Sequence, residues 1–241
     1  WQILFYRSLS LSCLLFGVIY LRSGNPLKLI HKAGLPATVA GISLVLAYSG
    51  GVYSIQSTSV ANAMLLFATA PLFTAILSLV FLKEKVTGST FVTIIIAILG
   101  ICIMISDKMN GTELWGSLAA IGSAIGFAVF TVALRLGKSR DMLPAVLLSG
   151  IFGIIITGGI CLTLKLSFNL VSNDLSIAFG MGIFQVGAGL VLYTLGSKYL
   201  PATQLALLSL TEVLLGPFWV WLVLGETASA ATLYGGMVLL A

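Results

Sequence analysis

Charge is what this chain has least of. Asp, Glu, Lys and Arg together make up 8% of its 241 residues, against about 25% in an ordinary soluble domain. So small a share cannot clothe the surface of a water-soluble fold. A mean hydropathy of +1.14 leaves no stretch for a separate aqueous domain. Cysteine is scarce as well. Cys13, Cys102 and Cys161 lie singly in apolar runs, without paired spacing or a neighbouring His. That excludes a disulfide framework and a zinc site and leaves three small buried side chains as the reading. The single histidine, His31, sits in a basic loop with nothing beside it to complete a metal site or a catalytic dyad. There is no Gly-rich phosphate loop, no Gly-x-Ser-x-Gly and no His-Glu-x-x-His. Without a nucleotide-binding domain, ATP cannot drive work within this chain. No cofactor, no metal and no enzymatic activity are expected.

What the chain has in abundance is apolar length. Nine hydrophobic segments follow one another at approximately 1–21, 35–55, 60–82, 88–106, 114–134, 143–164, 175–197, 200–224 and 228–241. A helix needs roughly 20 apolar residues to cross the hydrocarbon core, and inside it every backbone amide must be satisfied within the helix. The expected fold class is an all-α membrane protein, a polytopic helical bundle. Turn residues punctuate the segments at Ser23-Gly24-Asn25-Pro26, Asn110-Gly111 and Ser172-Asn173-Asp174.

The net charge of +5 is distributed as a topology signal and not as a nucleic-acid surface. One alternating set of loops holds Arg22, Lys28, Lys32, Lys83, Lys85, Arg135, Lys138, Arg140 and Lys198, and the other only Lys108 and Lys165. Nine basic residues against two put the first set in the cytoplasm and Trp1 on the outer side. A chain whose true N-terminus is inside then needs one more helix before Trp1, and the last helix reads as truncated at Ala241.

An internal repeat asks for the same extra helix. At an offset of 142, residues 60–84 lie over 202–226, matching Leu65, Leu66, Thr69, Leu72, Leu82 and Glu84 with Leu207, Leu208, Thr211, Leu214, Leu224 and Glu226. The third and eighth segments are five helices apart and so cross in opposite directions. Two inverted five-helix repeats follow, over 1–106 (lacking its first helix) and 107–241. Inverted repeats are a common plan of secondary transporters, which handle substrate near the midplane where the halves meet.

The motifs along this frame are Phe5-Tyr6-Arg7-Ser8 near the outer end of the first segment, Leu82-Lys83-Glu84 closing the third, and Pro201-Ala202-Thr203-Gln204, Leu210-Thr211-Glu212 and Leu224-Gly225-Glu226 in the eighth. The pattern resembles the drug/metabolite transporter superfamily, specifically its EamA-type ten-helix branch. Two positions depart from it. Val213 stands where the family often has proline after the mid-helix Glu, and Lys83 stands where the second copy has Gly225. The resemblance implies a multi-pass carrier of the inner (plasma) membrane that exports or exchanges small metabolites by alternating access. It also implies a central cavity lined by helices equivalent to the second, third, fifth, seventh and eighth segments here.

The candidate substrate-binding residues follow from polarity inside apolar segments. Arg7 and Glu212 are the only fully ionisable groups, Tyr and Cys aside, placed well within them. A charge there costs ~2.5–3.5 kcal/mol by insertion scales, so it faces a cavity or a partner. Arg7, near an outer end, has the alternative of snorkelling to the headgroups. Glu212, halfway along its helix, does not. Its face suits an amine, or a proton whose release is coupled to transport, and the alternative is a hydrogen bond to a neighbouring helix. Asn62, Gln56, Gln185 and Gln204 form a second tier, with interhelical glue as their bland reading. Tyr48, Tyr53, Tyr193 and Trp219 suit an aromatic wall for a planar substrate, whereas Trp1, Trp115 and Tyr199 read as interfacial belts. Gly122-x-x-x-Gly126 and Ser149-x-x-x-Gly153 read as packing seams, and Pro71 and Pro217 as mid-helix interruptions.

The leading expectation is therefore a secondary transporter whose partners are the lipid bilayer and a small-molecule substrate, not nucleic acid, with a homodimer left open. An integral-membrane enzyme acting on lipids would need acidic or His residues gathered at one interface, and no such cluster exists in the sequence. A non-transporting helper subunit would be indifferent to mutation of Glu212.

Overall fold

The turn expected at Ser23-Gly24-Asn25-Pro26 separates the first two helices of the computed structural model, α1 (Gln2–Ser23) and α2 (Pro26–Ser57). Gly24 has φ 80°, a left-handed conformation that costs glycine nothing. The Asn25 side-chain oxygen accepts from the backbone N–H groups of Leu27 (2.9 Å) and Lys28 (3.4 Å), satisfying two donors at the helix start. Pro26 has no N–H to leave unmatched there.

The structure describes residues 1–58, 60–84 and 114–211, with isolated positions between 88 and 99 and at 222 and 234. Among these the chain is helical, without strands. Six more helices follow: α3 (Val60–Phe67), α4 (Ala70–Leu82), α5 (Leu114–Leu136), α6 (Leu143–Thr163), α7 (Ser172–Gly196) and α8 (Ala202–Thr211). Five of them, α1, α2, α5, α6 and α7, are long and apolar enough to cross a membrane, while the apolar α4 and α8 are shorter. That makes seven apolar helices among the described residues, not the nine expected. The expected segments at 88–106 (mainly) and 228–241 lie outside the described residues, as does the second half of 200–224.

Three local departures have physical causes. The expected segment at 60–82 is broken. Thr69 turns back on Leu66, its hydroxyl donating to the Leu66 carbonyl at 2.6 Å and its N–H to the same oxygen at 3.2 Å. Pro71, in the first turn of α4, then starts a new helix instead of extending the old one. The basic stretch expected as a loop is helical from Pro26 onward, and Gly34 (φ 69°, ψ −157°) divides α2 into a short basic helix and its longer apolar continuation. Cys161 is buried, but Cys13 is exposed. It shares a face of α1 with the exposed Phe16 and Tyr20, the side suited to lipid. Cys102 lies outside the described residues.

Contacts divide the chain into two compact units: Trp1–Val45 with Ala133–Leu200, and Leu46–Val132 with Pro201–Ala241. In the first, α1 packs against α6 and α7. Leu4, Ser8, Leu11, Leu15 and Ile19 form its buried stripe, at the three- and four-residue spacing of one helix face. Small residues set the distance. A Cβ on Gly150 of α6 would meet the Ser12 hydroxyl and come within 3.3 Å of the Ser12 nitrogen and the Ser8 carbonyl. On Gly182 of α7 it would meet the Ser10 hydroxyl and the Arg7 carbonyl. In lipid there is no hydrophobic drive between helices, so this close packing is what holds them. Of the two expected seams, Ser149 lies at one, its nitrogen 3.2 Å from where a Gly41 Cβ would stand. Gly122 has open space instead.

In the second unit, Leu66 and Phe67 of α3 pack on Ala120 and Ile121 of α5, and the Ser123 hydroxyl of α5 donates to the Ala47 carbonyl of α2 at 2.5 Å. We predict that Gly150→Val lowers stability by about 1–3 kcal/mol, the usual cost of overpacking. It reads out as a lower melting temperature of the purified protein in detergent. Gly159→Val on the same helix, where a Cβ meets nothing within 4 Å, serves as the control and leaves it nearly unchanged.

Candidate functional site

Arg7 is the one charged side chain buried among the described residues, at 9% exposure. It does not snorkel into the open. It stands on the face of α1 that meets α7, where its own carbonyl lies against Gly182. The other buried polar groups around this seam are hydroxyls that fold back on their own helices. Ser10 donates to the Arg7 carbonyl (3.0 Å), Ser12 to that of Ser8 (2.8 Å), Ser149 to that of Val146 (2.8 Å) and Thr157 to that of Gly153 (2.6 Å). Such back-bonding satisfies the hydroxyl without reaching across, which leaves Arg7 as the interior's ionic feature.

Above Arg7 the start of α1 is clasped by the connection between α6 and α7. The Tyr6 hydroxyl donates to the Phe168 carbonyl at 2.6 Å, and the Gln2 side-chain amide donates to the Ser167 carbonyl. Phe5 meets Phe168 edge-on at 5.2 Å between ring centres, and Tyr6 lies 6.2 Å from Phe179. Phe179 carried no signal in the sequence, because an aromatic in an apolar run looks like any lipid-facing residue, and Phe168 stood in a connecting stretch with no motif around it.

The middle of α7 is π-helical over Met181–Ala188. Extra-wide turns of this kind are rare and appear frequently at functional sites. Gly182 and Gly187 sit one such turn apart, both buried on the α1 side, and Gln185 stands between them, exposed. Tyr193, further along α7, is half-buried. This unit therefore carries Arg7, Gln185 and Tyr193, with only Arg7 set in the α1 seam.

The second unit carries the other described candidates. Tyr48 is half-buried and Tyr53 exposed on α2, Gln204 is exposed on α8, and Asn62 lies on α3. Gln56 is exposed as well. Glu212 and Trp219 lie outside the described residues. Trp115 and Tyr199 are strongly exposed, as interfacial aromatics are. Among the described residues no group of three or more His, Cys, Asp or Glu is placed to hold a metal ion.

Two polar contacts in this unit were not foreseen. α4 ends in a π-helical turn, Ser78–Leu82, and Lys83 then takes a left-handed conformation (φ 54°, ψ 26°). That turn brings the Glu84 carboxylate 3.2 Å from the Ala202 N–H, at the first residue of α8. Beside it the Ser78 and Thr203 hydroxyls lie 3.2 Å apart, both buried. A carboxylate at a helix start takes up an orphan donor and complements the helix dipole. The pin joins residues 118 positions apart in the chain.

Comparison with known proteins places this geometry in context. The family model described as EamA-like transporter family matches residues 1–106 and 114–241. An uncharacterized transporter of Archaeoglobus fulgidus is 26% identical over 215 residues, covering 88% of this chain and 77% of its own. One of Clostridium kluyveri is 24% identical over 229 residues, covering 88% and 70%. A solved crystal structure at 16% identity covers 99% of this chain and 84% of its own, with a TM-score of 0.74. That last likeness is one of fold alone.

The pin is testable. Glu84→Ala is expected to lower stability by about 1 kcal/mol, the usual loss for a capping acceptor. Glu84→Gln, which keeps an acceptor oxygen, should lose less than half of that. Thermal melts of the three proteins side by side check the order.

Proposed function

Because the chain belongs to the EamA-like transporter family, we propose that this multi-pass membrane transporter is a secondary active carrier. In this reading it exports or exchanges a small organic metabolite, amino acid-like or drug-like, across the inner membrane by alternating access. The observation that carries the reading is that the family model matches twice, over stretches that cover nearly the whole chain. Those stretches, 1–106 and 114–241, lie within the two halves we propose as five-helix repeats of opposite topology, 1–106 and 107–241. The buried Arg7 supports it, because an ionisable group inside a membrane helix is costly and marks a substrate or ion path. The π-helical middle of α7 supports it as well, since a locally widened helix is easier to reshape than a regular one.

In this proposal the substrate is bound by polar and aromatic side chains drawn from Arg7, Asn62, Gln185, Gln204, Tyr48, Tyr53, Tyr193 and Trp219. Glu212 takes the coupling role, holding a proton or meeting an amine. The work is supplied by an ion or substrate gradient.

Reconstituted vesicles test it. Substrates are first found by thermal-shift screening of the purified protein against amino acids, purines, polyamines and drugs. Glu212→Gln is then expected to abolish flux driven by a pH gradient, while expression and melting temperature stay normal. Flux equal to that of the unaltered protein would remove Glu212 from the mechanism. Flux absent for every compound in the unaltered protein would count against a carrier.

A further inference from the structure

The first two turns of α2, residues 26–33, are built more firmly than a topology signal requires. The Asn25 side chain caps their start. At their end the Arg140 guanidinium donates from Nη1 to the Ala33 carbonyl at 3.1 Å, placing a cation on the negative end of the helix dipole. Gly34 makes room for it, since a Cβ there would stand 2.8 Å from the same nitrogen. The glycine's left-handed backbone turns the chain into the apolar part of α2. A short helix is thus held at both ends in one orientation.

That orientation presents a mixed face. Leu27, Lys28, His31, Lys32 and Leu35 are exposed, whereas Pro26 and Ala33 are buried and Leu29 and Ile30 half-buried. Positions 27 and 31, and 28 and 32, recur every four residues, so they form one stripe, and Leu35 follows it just past the turn at Gly34. Leu27, Lys28, His31 and Lys32 lie side by side on one open, shallow surface. Two leucines exposed at 70% and 75% do not belong in water beside two ammonium groups. They suit the boundary between headgroups and acyl chains, where an amphipathic helix buries leucines while its cations meet phosphate. No carboxylate of the described residues pairs with Lys28, His31 or Lys32. Their side of the membrane is the one that holds nine of the loop cations.

We propose that residues 26–35 form a binding site for an anionic phospholipid. The Lys28 and Lys32 ammonium groups and a His31 ring N–H hold the headgroup phosphate, and Leu27 and Leu35 lie along the first carbons of the acyl chains. Arg140 is a positioning residue, acting through the Ala33 carbonyl. The site is independent of the transported substrate and of Glu212.

The test uses the full chain, purified and delipidated in mild detergent, then titrated with phosphatidylglycerol or with phosphatidylcholine of the same acyl chains. Native mass spectrometry counts the bound lipid. The unaltered protein is expected to retain phosphatidylglycerol at least about tenfold better than phosphatidylcholine. Each lysine near an anionic surface contributes about fivefold, so Lys28→Gln/Lys32→Gln should weaken retention by about 25-fold. Lys138→Gln/Lys198→Gln, which removes the same charge outside the braced stripe, should change retention of a lipid held at the stripe by less than about threefold, below one contacting lysine's share. Equal loss in both double variants would overturn the site, because diffuse attraction would then suffice. In the unaltered protein, excess phosphatidylglycerol should displace bound lipid and phosphatidylcholine should not. Equal displacement by the two, or by inorganic phosphate, would overturn it too.

Discussion

Hydrocarbon offers no hydrogen bonds, and much of this structure follows from that one condition. Backbone groups are answered within helices, and several buried hydroxyls fold back on their own helix's carbonyls, as Ser12, Thr74 and Thr157 do. With those groups satisfied locally, helices are free to approach as closely as their side chains allow. On α1 that limit is set by glycines of α6 and α7 lying against serines and backbone carbonyls. A helix seam made of small residues is rigid because displacing it opens a void that lipid cannot fill.

Against that background, the few groups that do reach across carry most of the information. Arg7 is buried in the seam, the Glu84 carboxylate meets the start of α8, and the Arg140 guanidinium meets the end of a short basic helix. Both of the latter bonds close a helix terminus, where orphan amides and carbonyls accumulate. Among the described residues, Arg7 is the buried charged side chain, and the carboxylate of Glu84 and the guanidinium of Arg140 sit at helix ends. The two π-helical stretches, Ser78–Leu82 and Met181–Ala188, add local irregularity where α4 ends and where α7 meets α1.

Much of the fold was legible because the bilayer enforces composition directly. The 59% of apolar residues and the turn at Gly24-Asn25-Pro26 were enough for an all-helical membrane protein with its first loop placed. The resemblance carried by Phe5-Tyr6-Arg7 and Leu224-Gly225-Glu226 agrees with the family match. Pro71 announced a break, since proline cannot donate within a helix. The break's location, at Thr69, depends on a hydroxyl reaching the Leu66 carbonyl, which no periodicity reveals. A hydropathy window sees one segment at 60–82 where the backbone makes two helices.

The sequence by itself determined that the described residues are helical and that the chain is apolar enough to lie in a membrane. Each of these follows from the cost of placing polar groups in hydrocarbon, a property of residues taken singly. Only tertiary structure decided which glycine is a seam and which is not, as Gly150 differs from Gly122. It alone decided that Lys28 and Lys32 sit on a braced helix instead of a loop, and that Glu84 closes a helix more than a hundred residues away. Those outcomes depend on what stands opposite each residue in space, and sequence spacing does not encode that.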